Sequence, residues 1–124
     1  MTHHPRPAYL VAAFGLLGLA LLVGVSFRWT LAGLVSPDLV FVGAVVARPT
    51  APGLMPRALV RPYNTTHHPV TALALLAAST VTGLRTLALA LAWGAHICWD
   101  RGIGYDLRLP DGSIRDPRRP VVRV

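Results

Sequence analysis

Four stretches of this 124-residue chain carry side chains able to do chemistry, and each lies in or beside an apolar run where a polar group is costly. His96 and Asp100 are four residues apart, so a helix places them on one face within reach of each other. A carboxylate behind an imidazole orients the ring and raises its basicity, as catalytic and metal-bound histidines require. The plainer reading is a helix-end pair that satisfies its own hydrogen bonds next to Arg101. The second stretch is Tyr63-Asn64-Thr65-Thr66-His67-His68-Pro69. Neighbouring His67 and His68 point in different directions and cannot easily share one ion, but His67 with His96 and Asp100 would make an open site for a divalent metal such as zinc. The plainer reading here is a loop that caps the following helix. Third comes Asp38, behind Ser36 and Pro37, the pattern of a cap, a first-turn proline and a carboxylate at the positive end of a helix dipole. It is expected to be a structural polar residue in the outer half of the membrane, away from His96. His3 and His4 read as a solvated terminus. There is no Gly-rich phosphate loop and no nucleophile elbow.

The elements that must position these groups read as membrane helices. Apolar residues are 53% of the chain and charged ones 14%, with mean hydropathy +0.52, against a charged share of roughly a quarter in soluble domains. All basic residues are Arg and all acidic ones Asp, for a net charge of +7. The arginines punctuate apolar runs instead of forming a stripe on a polar face, so anionic lipid headgroups, and no nucleic acid, are the expected partners. The single Cys98 excludes an internal disulfide framework. Tyr9 to Phe27 is free of charge and long enough to cross the ~30 Å hydrocarbon core; a cleaved signal peptide is its rival. Thr30 to Ala47 is interrupted at Ser36-Pro37-Asp38, so this second helix is broken there or begins there. Five prolines between Arg48 and Pro69 make that stretch a loop, with an interfacial turn near Leu54 to Val60. Val70 to Trp99 is too long for one crossing and would bury Arg85, so it is read as a hairpin that breaks at Gly83.

The resulting fold class is all-α: a polytopic membrane protein of about four transmembrane helices in two hairpins, over residues 1–107, with a basic cytoplasmic tail at 108–124. Ten of the twelve arginines then fall on the side of both termini and the middle loop, leaving Arg28 and Arg85 opposite. That asymmetry makes both termini cytoplasmic in a cell membrane. Tyr9, Tyr63, Trp99, Tyr105 and Trp29 fall at the interfaces, and Trp93 does not. Small residues recur four apart, as in Ala90 with Gly94, which lets helices approach closely in lipid.

Three blocks together resemble a known family. Ser36-Pro37-Asp38-Leu39 with Gly43, Tyr63-Asn64 followed by His67, and His96 to Tyr105 are similar to the small bacterial integral-membrane family known as domain of unknown function 4260. The last block is the most specific, followed by a turn at Pro110-Asp111-Gly112. The resemblance implies a short multi-pass membrane protein with no assigned reaction. The chain departs from that pattern at Asp106, where a Gly is expected, at Arg108 in place of Lys, and at Pro117-Arg118, where Thr-His is expected.

Three functions fit the sequence. One is a structural or accessory membrane protein, a homo-oligomer whose polar residues serve packing and capping. The alternative is a metal-dependent or acid–base hydrolase acting on a lipid-like substrate at the cytoplasmic face. In it His67, His96 and Asp100 hold the metal or activate water, Tyr63 and Asn64 orient substrate, and Arg101 or Arg108 attracts an anionic headgroup. The third is a proton-conducting subunit built on Asp38 and His96.

Overall fold

The computed structural model describes residues 5–116, which leaves His3, His4 and Pro117-Arg118 outside the described residues. Five α-helices form: α1 (Pro7–Leu22), α2 (Phe27–Val35), α3 (Arg57–Thr66), α4 (Pro69–Thr82) and α5 (Leu84–Ile103). A 3-10 segment, Ser36–Val45, runs on from α2. Among the described residues there is no strand, only an isolated antiparallel bridge between Arg108 and Ile114.

The central element is α5, which buries alanines on several sides at once (Ala88, Ala90, Ala92 and Ala95). Such small side chains let three helices reach its backbone. The first, α1, lies antiparallel to it: the Arg6 N–H donates to the Gly102 carbonyl at 2.8 Å, Leu10 packs on Gly102, and Leu16 flanks Gly94. Next, α4 returns from a reversal at Gly83, whose φ of +92° suits only glycine, and places Ala72 against Gly94. Last, α2 runs parallel to α5, with the Arg85 guanidinium 5.9 Å from the Trp29 ring and Gly33 pressed on the Leu89 carbonyl and Ala92. The expected hairpin at Gly83 is therefore present, and its legs are Pro69–Thr82 and Leu84–Ile103.

Pro37 changes the course of the second run. It has no N–H to give the Gly33 carbonyl, so the α-helical ladder cannot continue, and the coil tightens into 3-10 form without a gap. Nine α residues and ten 3-10 residues give a rod of about 33 Å at their usual rises. Phe27–Val45 is the one helical run among the described residues long and apolar enough to cross a membrane. Pro7–Leu22 and Pro69–Thr82 are apolar but shorter.

The proline-rich stretch is not simply a loop. After Pro56 it forms α3, an amphipathic helix that buries Val60 and Tyr63 with Met55, Val40 and Leu59. Pro62 interrupts its ladder without ending it, because the buried face carries the helix. The segment after α5 folds back on this unit: both amide atoms of Asn64 bond the Arg108 backbone, at 2.8 and 2.7 Å, and Gly112, at φ +91°, lies against Met55. The first part of the expected tail is thus packed, and its end lies outside the described residues.

A Cβ on Gly33 would collide with the Leu89 carbonyl, which cannot move without distorting α5. Gly33→Val is expected to destabilise the protein by roughly 1–3 kcal/mol, read as a lower unfolding midpoint in detergent. An unchanged midpoint would contradict the close approach of α2 and α5.

Candidate metal centre

The C-terminus of α3 leaves its last carbonyls without helical partners, and side chains of α5 supply them. The Trp93 indole N–H donates to the Thr66 carbonyl at 2.8 Å, and the Arg101 guanidinium donates to the His67 carbonyl at 3.3 Å. Trp93, His96 and Asp100 recur at i, i+3 and i+7, so one face of α5 both docks α3 and carries two of the chemical groups. Docking seats His67, only 1% exposed, directly over that face. The Tyr63 ring stacks on the imidazole, with centroids 3.9 Å apart and planes 18° from parallel, which fixes the ring plane. Thr66 ties in the 3-10 segment, its hydroxyl donating to the Pro37 carbonyl at 3.2 Å and so setting where Asp38 begins its turn.

Four groups converge as a result. The Nε2 atoms of His67 and His96 are 3.3 Å apart. Asp38 Oδ1 lies 3.4 Å from the first and 3.5 Å from the second, and Asp100 Oδ2 lies 3.5 Å from each. Asp38, His67 and His96 form the tightest group, with one ligand atom of each within 4.8 Å of the others. His67 directs Nδ1 at the Tyr63 carbonyl, 3.0 Å away, which places its proton there and leaves its Nε2 lone pair facing the other groups. Burial holds the His67 imidazole below its usual value, which favours this neutral form. Tyr63 is a neutral phenol, pushed up to about 12 by burial and then by the Asp100 charge.

Two imidazole nitrogens and two carboxylates thus converge at short range, a donor set that a cation satisfies. The distances also select a geometry. Ligands about 2.0–2.1 Å from an ion are separated by about 3.3–3.4 Å at tetrahedral angles and by about 2.9 Å at octahedral ones. The 3.3–3.5 Å among Asp38, His67 and His96 fits the tetrahedral case and N/O ligation of zinc, with the fourth position left open.

Sequence reasoning selected His67, His96 and Asp100, and the structure brings all three together. Asp38 is the correction: it belongs to the group and is not an isolated residue of the outer half. The signal was in the rise of the helices. Counted from Trp29 and Arg85, which share one end, Asp38 lies about 14 Å and His96 about 17 Å along their rods. The residues assigned to substrate hold the framework instead. Tyr63 is buried, Asn64 is spent on the Arg108 backbone, and Arg101 is turned inward. Arg108 lies with its guanidinium 5.6 Å from the Tyr63 ring. His68 is exposed and caps α4, accepting from the Val70 N–H at 3.2 Å. Trp93, the aromatic out of place in the interfacial belt, is the docking donor.

The match to known families follows the same residues. A family model described as a domain of unknown function (DUF4260) covers residues 7–114, which include every group above. The chain belongs to this family. No curated protein and no solved structure matches it. In this DUF4260 chain four residues of the Asp100 to Gly104 block have a physical task. Asp100 faces the histidines and Arg101 clamps the His67 carbonyl. Gly102 admits Leu10, and left-handed Gly104, at φ +101°, lets the Tyr105 N–H close the helix on the Asp100 carbonyl at 2.8 Å. Asp106, the departure from the family pattern, pairs with Arg101 at 2.7 Å and with Arg6 at 3.6 Å.

The Arg101–Asp106 pair is largely buried, so Asp106→Asn leaves a guanidinium without its counter-charge. The expected loss is about 3–5 kcal/mol of stability, measured by unfolding of the detergent-solubilised protein. A loss below the value of an exposed pair, about 1 kcal/mol, would contradict the clamp.

Proposed function

We propose that this DUF4260 protein is a membrane-embedded, zinc-dependent hydrolase whose centre is Asp38, His67, His96 and Asp100. One observation carries the reading: Asp38, His67 and His96 each bring a ligand atom within 4.8 Å of the others, and an Asp100 oxygen lies 3.5 Å from both Nε2 atoms. An ion held there would bring the pKa of a bound water toward neutrality and would polarise an ester or phosphoester oxygen.

The residues of the chain supply the rest. His67, His96 and Asp38 hold the ion, and Asp100 Oδ2, beside both imidazoles, accepts the proton of the attacking water and returns it to the departing alkoxide. The sum is one ester bond and one water consumed, one acid and one alcohol released. Tyr63 keeps His67 aligned, and Arg101 holds its backbone. Asp38 is about half exposed and gives the substrate its approach.

Membrane placement is part of the same proposal. Phe27–Val45 suits a crossing, and large apolar side chains stand exposed along α1, α2 and α4, among them Val11, Phe14, Leu31, Val70 and Val81. Lipid is the solvent that makes those surfaces favourable. A four-pass arrangement, with the metal end and its arginines at the cytoplasmic face, accords with the ten-to-two arginine split. Anionic headgroups would then meet the loop arginines.

Elemental analysis of detergent-purified protein is expected to find zinc near one equivalent per chain, retained in Cys98→Ala and lost in His96→Ala. Asp38→Asn is expected to weaken zinc binding by at least about the 10–100-fold typical of outer-sphere changes. Turnover of chromogenic acyl esters or phosphodiesters with a hydrocarbon chain should stop on chelation and return with zinc. Metal-free protein that zinc cannot load, with no chelator-sensitive turnover, would overturn the reading.

A further inference from the structure

The centre does not stand alone at the end of the bundle. A cavity of about 320 Å³ opens between α1 and α2 and is floored by α5, and His96 is one of its walls. The other walls are apolar: Ala13 and Phe14 from α1, Leu34 from α2, and Ala95 and Trp99 from α5. Ala13 and Ala95 are buried, and their short side chains leave the space that larger residues would fill. At the mouth the Phe14 and Trp99 rings meet edge to face with centroids 5.9 Å apart, and both remain substantially exposed. Leu17, one turn further along α1, lines the inner reach.

We infer that this groove is the subsite for the hydrocarbon chain of the substrate, holding a single acyl or alkyl chain while the scissile group rests at His96 and Asp38. The inference rests on the hydrolase reading and adds the substrate class to it. Three observations select the occupant. Apart from His96 and the Trp99 indole N–H the walls offer no titratable or hydrogen-bonding side chain, so a polar ligand would lose most of its water without replacement there. The volume is at the lower end for a small-ligand pocket, and a helix of about 10 Å diameter needs far more room, which excludes a segment of a second copy. His96 belongs to the groove and to the centre together: its ring forms the wall while Nε2 lies 3.5 Å from Asp38 and from Asp100. A chain seated here therefore delivers its polar end to those carboxylates. The exposed apolar side chains beside the mouth, Val11 on α1 and Leu31 on α2, let a chain enter sideways from a bilayer.

The test uses the full-length protein in lipid nanodiscs with a long-chain fatty acid that carries a diazirine near its methyl end, followed by peptide mapping of the photo-adducts. Adducts are expected on Leu17, Leu34 and Ala95 in excess of the exposed outer positions Leu22 and Val81. Ala13→Leu fills the groove and should reduce the groove adducts by at least about tenfold while the unfolding midpoint and zinc content stay as in wild type. Leu17→Ala, a milder change, should move the adduct one helical turn further along α1. Adducts spread evenly over the outer faces, unchanged groove labelling in folded Ala13→Leu, or an unmoved adduct in Leu17→Ala would each overturn the subsite. Groove labelling in a protein that binds no zinc would leave the chain subsite standing and remove the hydrolase reading instead.

Discussion

Two imidazole nitrogens held 3.3 Å apart beside two carboxylates are the constraint on which this structure depends. Left alone, the two carboxylates repel. The fold therefore has to hold them from behind, and its least ordinary features serve that purpose. The end of α3 is fastened to α5 by Trp93 and Arg101, His67 is clamped by the Tyr63 ring, and the Thr66 hydroxyl joins the 3-10 segment to the same corner. The Trp93 and Arg101 contacts each use a backbone carbonyl at the end of α3 that has no helical partner. The cost of ending a helix in a buried place is thereby turned into the positioning of a ligand.

The packing of α5 follows from the same need. A helix that must present Trp93, His96 and Asp100 on one face and accept three neighbours on the others favours small residues there, and five of its seven buried positions are alanine or glycine. Large apolar side chains are displaced outward onto α1, α2 and α4. This inversion, small inside and large outside, makes close backbone approach, more than burial of large side chains, the source of cohesion between the helices. The core in the usual sense is small and sits under α3, around Met55, Val60 and Tyr63.

Much of this was legible in the residues. The i, i+4 pair of His96 and Asp100 and the reversal at Gly83 depend on local rules, and both are as expected. The amphipathic α3 was hidden because prolines at 56 and 62 signal a loop, and only its buried face outweighs them. Asp38 was misplaced because Pro37 was read as either a break in the second helix or its start; it is a change of pitch within a continuous one, which carries the carboxylate round to His96. The roles of Asn64 and Arg101 were not readable at all. Their partners, the Arg108 backbone and the His67 carbonyl, are 44 and 34 residues away and are main-chain groups that no side-chain pattern marks.

The account's central claim is that His67 and His96 bind one ion through Nε2, together with carboxylate oxygen. X-ray absorption at the zinc edge of the purified protein addresses it directly. The structure predicts two imidazole scatterers and carboxylate or water oxygens at about 2.0–2.2 Å in four-coordinate geometry. A sulfur shell at about 2.3 Å, the signature of thiolate ligation by Cys98, or a spectrum with no imidazole contribution, would contradict it.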